Sequence, residues 1–143
     1  MAGLQIVVFY LNNDLYGVDS SCVNQIIKYQ NVTEATDMPD FVEGVINYRG
    51  AEVPVINLNK KLGYPKTETT NKTKIIIADI SSRSIGFIVD NITELARFDE
   101  SEMEVLPEVL QKAGNAYIKR VTKRNDQIFS ILELDLVLNG FNI

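Results

Sequence analysis

The apolar residues of this chain come in short runs of four to seven, and strong helical periodicity is scarce. Runs of that length are typical of strands, which need about 4–8 residues, whereas helices need at least about 10. Polar turn segments separate the runs, for example at residues 12–14, 49–51 and 124–126. The pattern therefore predicts a mainly β protein with a few short helices.

Four predicted hairpins account for most of the chain. Each joins two apolar runs across a short polar turn. Their paired segments are Leu4–Leu11 with Leu15–Val18, Val45–Tyr48 with Glu52–Leu58, Lys74–Ile80 with Ile85–Val89, and Tyr117–Lys123 with Gln127–Leu132. Pro54 lacks an amide donor and places its strand at a sheet edge or a bulge.

Short helices are predicted at four places. Asp19 has the position of a cap before Ser20, and Ser101 with Glu104 has the spacing of a capping box. Asn59–Leu62 precedes Gly63, and a last helix follows the fourth hairpin. Residues 105–116, which contain a proline and a glycine, are predicted to be a loop.

The two halves of the sequence share a weak internal echo. Sliding the first half along the second brings Val45 onto Val121 and Leu58 onto Leu134 in one register, so that each half has strand, turn, strand and short helix in the same order. Either the halves arose by duplication, which implies two small barrels with a groove between them, or aliphatic strands resemble one another by chance. Residues 64–73 are polar and form the predicted linker within a single domain spanning 1–143.

Composition closes several routes to chemistry. The chain has no His, which removes the commonest general base and metal ligand, and its single Cys excludes an internal disulfide and a Cys-cluster zinc site. A net charge of −5 disfavours nucleic-acid binding. The run Leu4–Leu11 is too short to span a membrane and has no basic flank, which predicts a cytoplasmic protein.

The remaining candidate chemistry is weak. Cys22 lies on an apolar stripe with no base partner and is best explained as a buried structural residue. Asp79 and Asp90 each stand at the end of a predicted strand, and an enzyme using both is one alternative, although turn and cap roles are more common. An oligonucleotide-binding barrel is the other alternative. The basic residues of the fourth hairpin divide between two strand faces; they are Lys119, Arg120, Lys123 and Arg124.

Three segments carry a resemblance to a known family. Residues 41–63, FVEGVINYRGAEVPVINLNKKLG, closely resemble the signature of the CheW domain family, and residues 85–95 and 9–27 resemble its flanking motifs. The chain is little longer than one such domain. The resemblance implies mainly β architecture, with two five-stranded SH3- or OB-like barrel subdomains, intertwined and sharing a hydrophobic core.

The same resemblance implies a non-catalytic adaptor without a cofactor. Its expected partners are the regulatory domain of the histidine kinase CheA and the cytoplasmic tip of transmembrane chemoreceptors. The adaptor would be monomeric in isolation and recruited to membrane receptor arrays. The receptor groove would involve Val7, Ser20, Val23, Ile26, Ile27 and Ile92. The kinase surface would include Gly44, Ile46, Arg49, Gly50 and Val53.

One departure from the family pattern concerns charge. Gln25 stands where many members have Glu, so an ion pair with Arg49, the family's characteristic arginine, cannot form in this chain. A neutral hydrogen bond between the two side chains is the expected substitute.

Overall fold

The computed structural model describes residues 3–34, 36–65, 68–105 and 117–138. In this part of the chain the strands are β1 (Gly3–Leu11), β2 (Asp14–Asp19), β3 (Val23–Lys28), β4 (Val42–Tyr48), β5 (Ala51–Asn57), β6 (Lys74–Ile80), β7 (Arg83–Val89), β8 (Asn91–Asp99), β9 (Met103–Val105), β10 (Ile118–Arg124) and β11 (Gln127–Leu132). The helices are α1 (Leu58–Lys61) and α2 (Leu134–Val137), with single 3₁₀ turns at Ser20–Cys22 and Glu100–Glu102. The prediction of a mainly β fold with short helices is confirmed.

The strands form two sheets. Sheet A has the order β8-β1-β2-β11-β10-β9, and sheet B has the order β3-β6-β7-β5-β4. The expectation of closed five-stranded barrels needs correction, because sheet A has a sixth strand and, among the described residues, each hydrogen-bonded order has two ends. Closure is instead left to side chains that reach from one edge of a sheet towards the other.

The core explains why both faces of most strands are apolar. A cluster shared by the two sheets includes Phe9, Phe87 and Ile56. A second cluster is confined to sheet A and contains Phe98. A third is confined to sheet B and contains Ile75. Each sheet thus buries one face against the other sheet and curves around a small interior of its own.

The internal echo has a structural counterpart. The register that relates the two halves superimposes β4 on β10, and both hairpins carry an irregularity at the equivalent place, Val42/Gly44 and Ile118/Arg120. The β1–β2 turn at residues 12–13 likewise corresponds to the β6–β7 turn at residues 81–82, and both turns have positive φ. The two units therefore repeat in local geometry as well as in order.

Each repeat places strands in the sheet of the other. β3 follows β2 in sequence but pairs with β6 in sheet B, while β8 follows β7 but pairs with β1 in sheet A. The β4–β5 hairpin joins β7 in parallel, and the β10–β11 hairpin joins β2 in parallel. Both sheets consequently contain strands from both halves of the chain.

The described hairpin turns have the backbone geometry that the strand twist requires. Arg49 and Gly50 have φ values of 50° and 81°, and Asn12, Asn13, Ser81 and Ser82 also have positive φ. Two consecutive residues with positive φ are typical of type I′ turns, whose twist matches that of the flanking strands. The structure thus uses Arg49 at a position where a non-glycine residue is uncommon.

Two local predictions change, and two others fall partly outside the described residues. β5 lies between β7 and β4, so Pro54 is not on an edge strand; its partner Val45 hydrogen-bonds Thr33 instead, and the β5–β7 pairing begins one residue later. The capping box lies at Asp99 and Glu102. In the predicted 105–116 loop, residues 106–116 lie outside the described residues, as do residues 66 and 67 of the linker.

Candidate interaction surfaces

An apolar groove of about 300 Å³ lies where the edge strands β3 and β8 meet. We call it the edge-strand groove. It is lined by Val7, Ser20, Val23, Gln25, Ile26, Ile92, Glu94 and Leu95. Ile26 and Leu95 are 37% and 59% exposed, which is unusual for large aliphatic side chains. Exposed apolar residues concentrated in one concave surface are typical of a binding site.

Two β-bulges build the walls of this groove. In a regular strand, residues three apart point to opposite faces. The β3–β6 register shifts between Val23 and Gln25, and as a result Val23 and Ile26 come to the same face. A bulge places side chains in this way by inserting one unpaired residue.

A second bulge of the same kind lies in β8. Its register shifts where β1 passes from Val8 to Phe9, so Thr93 is the additional residue and its hydroxyl donates to the Val8 carbonyl at 3.2 Å. Ile92 and Leu95 therefore share a face. The same shift that superimposes the β1–β2 turn on the β6–β7 turn also relates the two walls. It pairs Val23 with Ile92, Gln25 with Glu94 and Ile26 with Leu95.

Five of the six residues predicted for the receptor groove come together here; they are Val7, Ser20, Val23, Ile26 and Ile92. Ile27 does not line the groove. It points to the other face of β3 and packs against the interior of sheet B, in the cluster that contains Ile46. The binding role of the five remains a prediction.

The β4–β5 hairpin tip forms a second candidate surface. The Arg49 guanidinium donates to Gln25 Oε1 at 2.8 Å and lies over the Tyr48 ring, 5.2 Å from its centroid. The Tyr48 hydroxyl donates to the same Gln25 oxygen. The neutral hydrogen bond expected between positions 25 and 49 is therefore present, and it links the opposite edges of sheet B.

We call such a set of contacts, which ties the end of a hairpin to the opposite edge of its sheet, a latch; sheet A has a similar one. Arg124, which ends β10 as Tyr48 ends β4, donates to the Arg97 carbonyl at 2.9 Å and pairs with Glu102 at 3.1 Å. Its guanidinium lies 3.9 Å from the centroid of the Phe98 ring. Hydrogen bonds from Asp99 and Arg124 lower the pKa of the Glu102 carboxyl. In both sheets the end of the repeated hairpin thus contacts the opposite edge.

The predicted kinase surface contains buried and exposed residues. Arg49 and Gly50 are exposed at the tip, whereas Ile46 and Val53 are buried in the sheet B interior. Gly44 is buried too, with φ of 147°, and a Cβ there would lie 2.0 Å from the Thr33 carbonyl oxygen. A partner at this end can therefore touch the tip directly, while the buried residues support it from beneath.

The candidate catalytic carboxylates do not converge. Asp79 accepts from Asn24 and Ser84. Asp90 accepts from the Asn12 amide and from the Asn59 side chain, and it lines a different cavity. Among the described residues there is no cluster of three potential metal ligands. Both aspartates have the positioning roles that turn and cap residues commonly have.

Cys22 is half-buried and packs against the shared core. Its thiol donates to the Asp19 carbonyl at 3.0 Å. Burial, and secondarily the Asp19 carboxylate, raise the pKa of this thiol, which keeps it protonated at neutral pH. The structure therefore agrees with the interpretation of Cys22 as structural.

The basic hairpin is divided as predicted. Lys119 and Lys123 are exposed, while Arg120 and Arg124 are partly buried and paired with Glu133 and Glu102. The arginines are thus used within the fold, and this strand presents no continuous basic stripe.

Sequence reasoning missed three groove residues, Gln25, Glu94 and Leu95. Leu95 lies three residues after Ile92, a spacing that in a regular strand means opposite faces. Only recognition of the bulge at Thr93 would have placed Ile92 and Leu95 on the same face. The correspondence of this pair with Val23 and Ile26 is the signal that could have revealed it.

Within the described ranges, no helix has the length and apolar character needed to cross a membrane.

Comparison with known proteins agrees with the family resemblance of the sequence. The model of the CheW-like domain matches residues 5–141. The chemotaxis protein CheW of Bacillus subtilis (strain 168) is 34% identical over 137 residues, which is 96% of this chain and 88% of that protein.

Two further relatives extend the likeness. The chemotaxis protein CheW of Thermotoga maritima is 28% identical, covering 97% of this chain and 90% of its own. The crystal structure of the scaffolding protein TtCheW from Thermoanaerobacter tengcongensis superimposes with a TM-score of 0.90 at 32% identity, covering 98% and 95% of the two chains. The chain belongs to the CheW-like domain family, whose members are non-catalytic scaffold proteins of chemotaxis.

Proposed function

We propose that this protein is an adaptor that couples transmembrane chemoreceptors to a CheA-type histidine kinase. The observation that carries the proposal is the edge-strand groove, which presents aliphatic side chains to solvent at the junction of two sheets. The scaffold character of the family supports it, because such proteins act through binding surfaces and not through catalytic groups.

The receptor is assigned to the edge-strand groove. Its lining is mostly aliphatic, it is open to solvent, and it extends between two strand edges. A helix laid into such a groove buries the residues of one face at spacings of three and four. The cytoplasmic tip of a chemoreceptor supplies the partner of that shape.

The kinase regulatory domain is assigned to the hairpin tip around Arg49. The guanidinium is exposed, fixed by Gln25 and stacked on Tyr48, so little side-chain entropy is lost when a partner binds it. Arginine residues held in this way are frequent energetic centres of protein interfaces. The two proposed surfaces adjoin at Gln25, which lines the groove and accepts from Arg49, but the groove presents aliphatic side chains and the tip presents the guanidinium. We therefore propose that both partners bind together.

The adaptor is further proposed to be a cytoplasmic monomer that enters receptor arrays by binding. Arrays supply many copies of each partner, so modest individual affinities are sufficient for stable recruitment. No cofactor is required for a role that consists of binding.

Ile26→Asp tests the receptor assignment. A carboxylate in the apolar groove should lower affinity for a soluble receptor-tip fragment at least about tenfold, because burying an unpaired charge is costly. Affinity for the isolated kinase regulatory domain should stay within about twofold, since Ile26 and Gln25 belong to opposite faces of β3 and only Gln25 contacts Arg49. Isothermal titration of both partners measures the difference.

Ile128→Asp is the matched control, since Ile128 is an exposed isoleucine, 61% exposed, on a strand away from the groove. Arg49→Ala should show the opposite selectivity and weaken kinase binding while leaving receptor binding intact. Equal losses for both partners in Ile26→Asp would indicate misfolding, and an unchanged receptor affinity would overturn the groove assignment.

A further inference from the structure

Among the described residues that line the edge-strand groove, Glu94 alone is charged. Glu94 is exposed and pairs with Val8 of β1 beside the Thr93 bulge. By this register it belongs to the opposite face of β8 from Ile92 and Leu95, so it borders the groove at the strand edge. Within the described residues, its carboxylate has no hydrogen bond or ion pair.

The equivalent residue on the other wall, Gln25, is neutral, and its side chain is already hydrogen-bonded within this chain. Gln25 accepts hydrogen bonds from both Arg49 and Tyr48, so its carbonyl oxygen is held within this chain. The polar edges of the groove therefore differ: one carries an amide engaged in the fold, and the other carries a full negative charge. A partner meets that charge directly.

A helix that covers the groove removes water from Glu94. Partial desolvation of an ionised carboxylate costs free energy unless a cation replaces the lost hydration. A Lys or Arg on the partner offsets that cost, whereas an acidic side chain adds repulsion. The charge of Glu94 thus discriminates between partners that have the same apolar anchor.

We infer that Glu94 selects docking helices that carry a Lys or Arg within one turn of the apolar side chain inserted in the groove. The inference rests on the proposed receptor function and specifies the chemistry of that partner. One turn is the relevant spacing because residues three or four apart share a helix face. Glu94 acts as a specificity residue and Ile26 and Leu95 as the apolar anchor.

Glu94→Gln and Glu94→Lys test the inference against a soluble cytoplasmic-tip fragment of a chemoreceptor from the same cell. Glu94→Gln should weaken binding roughly three- to tenfold and reduce its salt dependence, because only the charge is removed. Glu94→Lys should weaken binding further. Glu104→Gln is the matched control, since Glu104 is an exposed glutamate on β9, at the opposite edge of sheet A.

Charge reversal completes the experiment. Each Lys or Arg of the receptor-tip fragment is changed to Glu in turn, and one of these changes should restore affinity for Glu94→Lys while weakening binding to the wild-type protein. Such reciprocal rescue identifies the partner cation, which a structural effect of the substitution cannot imitate.

The outcomes separate this inference from the function on which it rests. If Glu94→Gln binds as tightly as the wild type while Ile26→Asp fails to bind, Glu94 has no role in selection and the receptor groove stands. If neither substitution changes binding, or if the wild type does not bind the tip, the proposed receptor site falls and the inference with it.

Discussion

At the residue scale, Arg49 shows how far a single side chain could be predicted. Its position at a hairpin tip and a neutral bond to Gln25 were both predictable, because an amide can accept where a carboxylate is missing. The contact with Tyr48 was not, since a β-strand alternates its faces and does not reveal which rings stack on a neighbouring charge. Glu94 was equally hidden, because its placement depends on a bulge.

Gln25→Glu should raise the free energy of unfolding by up to about 1 kcal/mol at low salt. The new carboxylate would form a charge-assisted pair with Arg49 at the surface, and salt screens such pairs. Gln25→Ala, the comparison variant, should lose about 1 kcal/mol with the hydrogen bonds. Urea denaturation at low and high salt measures both, and a destabilised Gln25→Glu at low salt would contradict the latch described for sheet B.

At the element scale, hairpins were predictable and their irregularities were not. Short apolar runs and polar turns located the strands to within a few residues, since those signals are local. The bulges at Asn24 and Thr93 arise from pairing with distant strands, β6 and β1, and no local pattern encodes them. The capping box was predicted two residues too late, at Ser101 and Glu104, because Ser101 has the same local pattern as the true cap, Asp99.

Gly44→Ala should lower the free energy of unfolding by about 2–4 kcal/mol, because the added Cβ meets the Thr33 backbone and φ is positive. Gly50→Ala is the matched variant. Gly50 also has positive φ, but nothing lies within 4 Å of an added Cβ, so a cost of about 1 kcal/mol is expected from backbone strain alone. Chemical denaturation compares them, and similar losses would mean that the close approach at Gly44 is relieved without cost.

The Glu102 latch should make stability depend on acid pH. Its pKa is lower in the folded than in the unfolded chain, so the associated stability is present above the ordinary carboxyl range and is lost as pH falls through the lowered value. Glu102→Gln should therefore lose less stability than the wild type between about pH 5 and pH 3. Parallel pH profiles of the two proteins, measured by denaturation, would refute this by falling together.

At the scale of the whole molecule, the similarity between the two halves of the sequence indicated a structural repeat. It did not indicate that the halves exchange strands between the two sheets. Sequence order alone suggests that each half keeps its own strands, because neighbouring strands usually pair. The structure sends β3 to sheet B and β8 to sheet A. This exchange is a long-range feature of the pairing, and it explains why a shared core was easier to predict than the membership of each sheet.

The prediction that residues 1–143 form a single domain of intertwined subdomains has a thermodynamic test. Because both sheets draw strands from both halves of the chain and share one buried cluster, unfolding either sheet exposes core residues of the other, and one cooperative transition is expected. Far-ultraviolet circular dichroism and tyrosine fluorescence should give coincident urea curves. Separate transitions, or hydrogen exchange that is faster throughout one sheet, would show that the sheets unfold independently.

The equivalence of the two groove walls has a consequence for the direction in which a helix can lie. Val23 and Ile26 on one wall correspond to Ile92 and Leu95 on the other, so a helix turned end for end finds nearly the same aliphatic contacts. Shape and hydrophobicity alone leave its N-to-C orientation almost undetermined. The difference between an amide at position 25 and a carboxylate at position 94 makes the two orientations of the helix unequal, so that one direction along the groove is favoured.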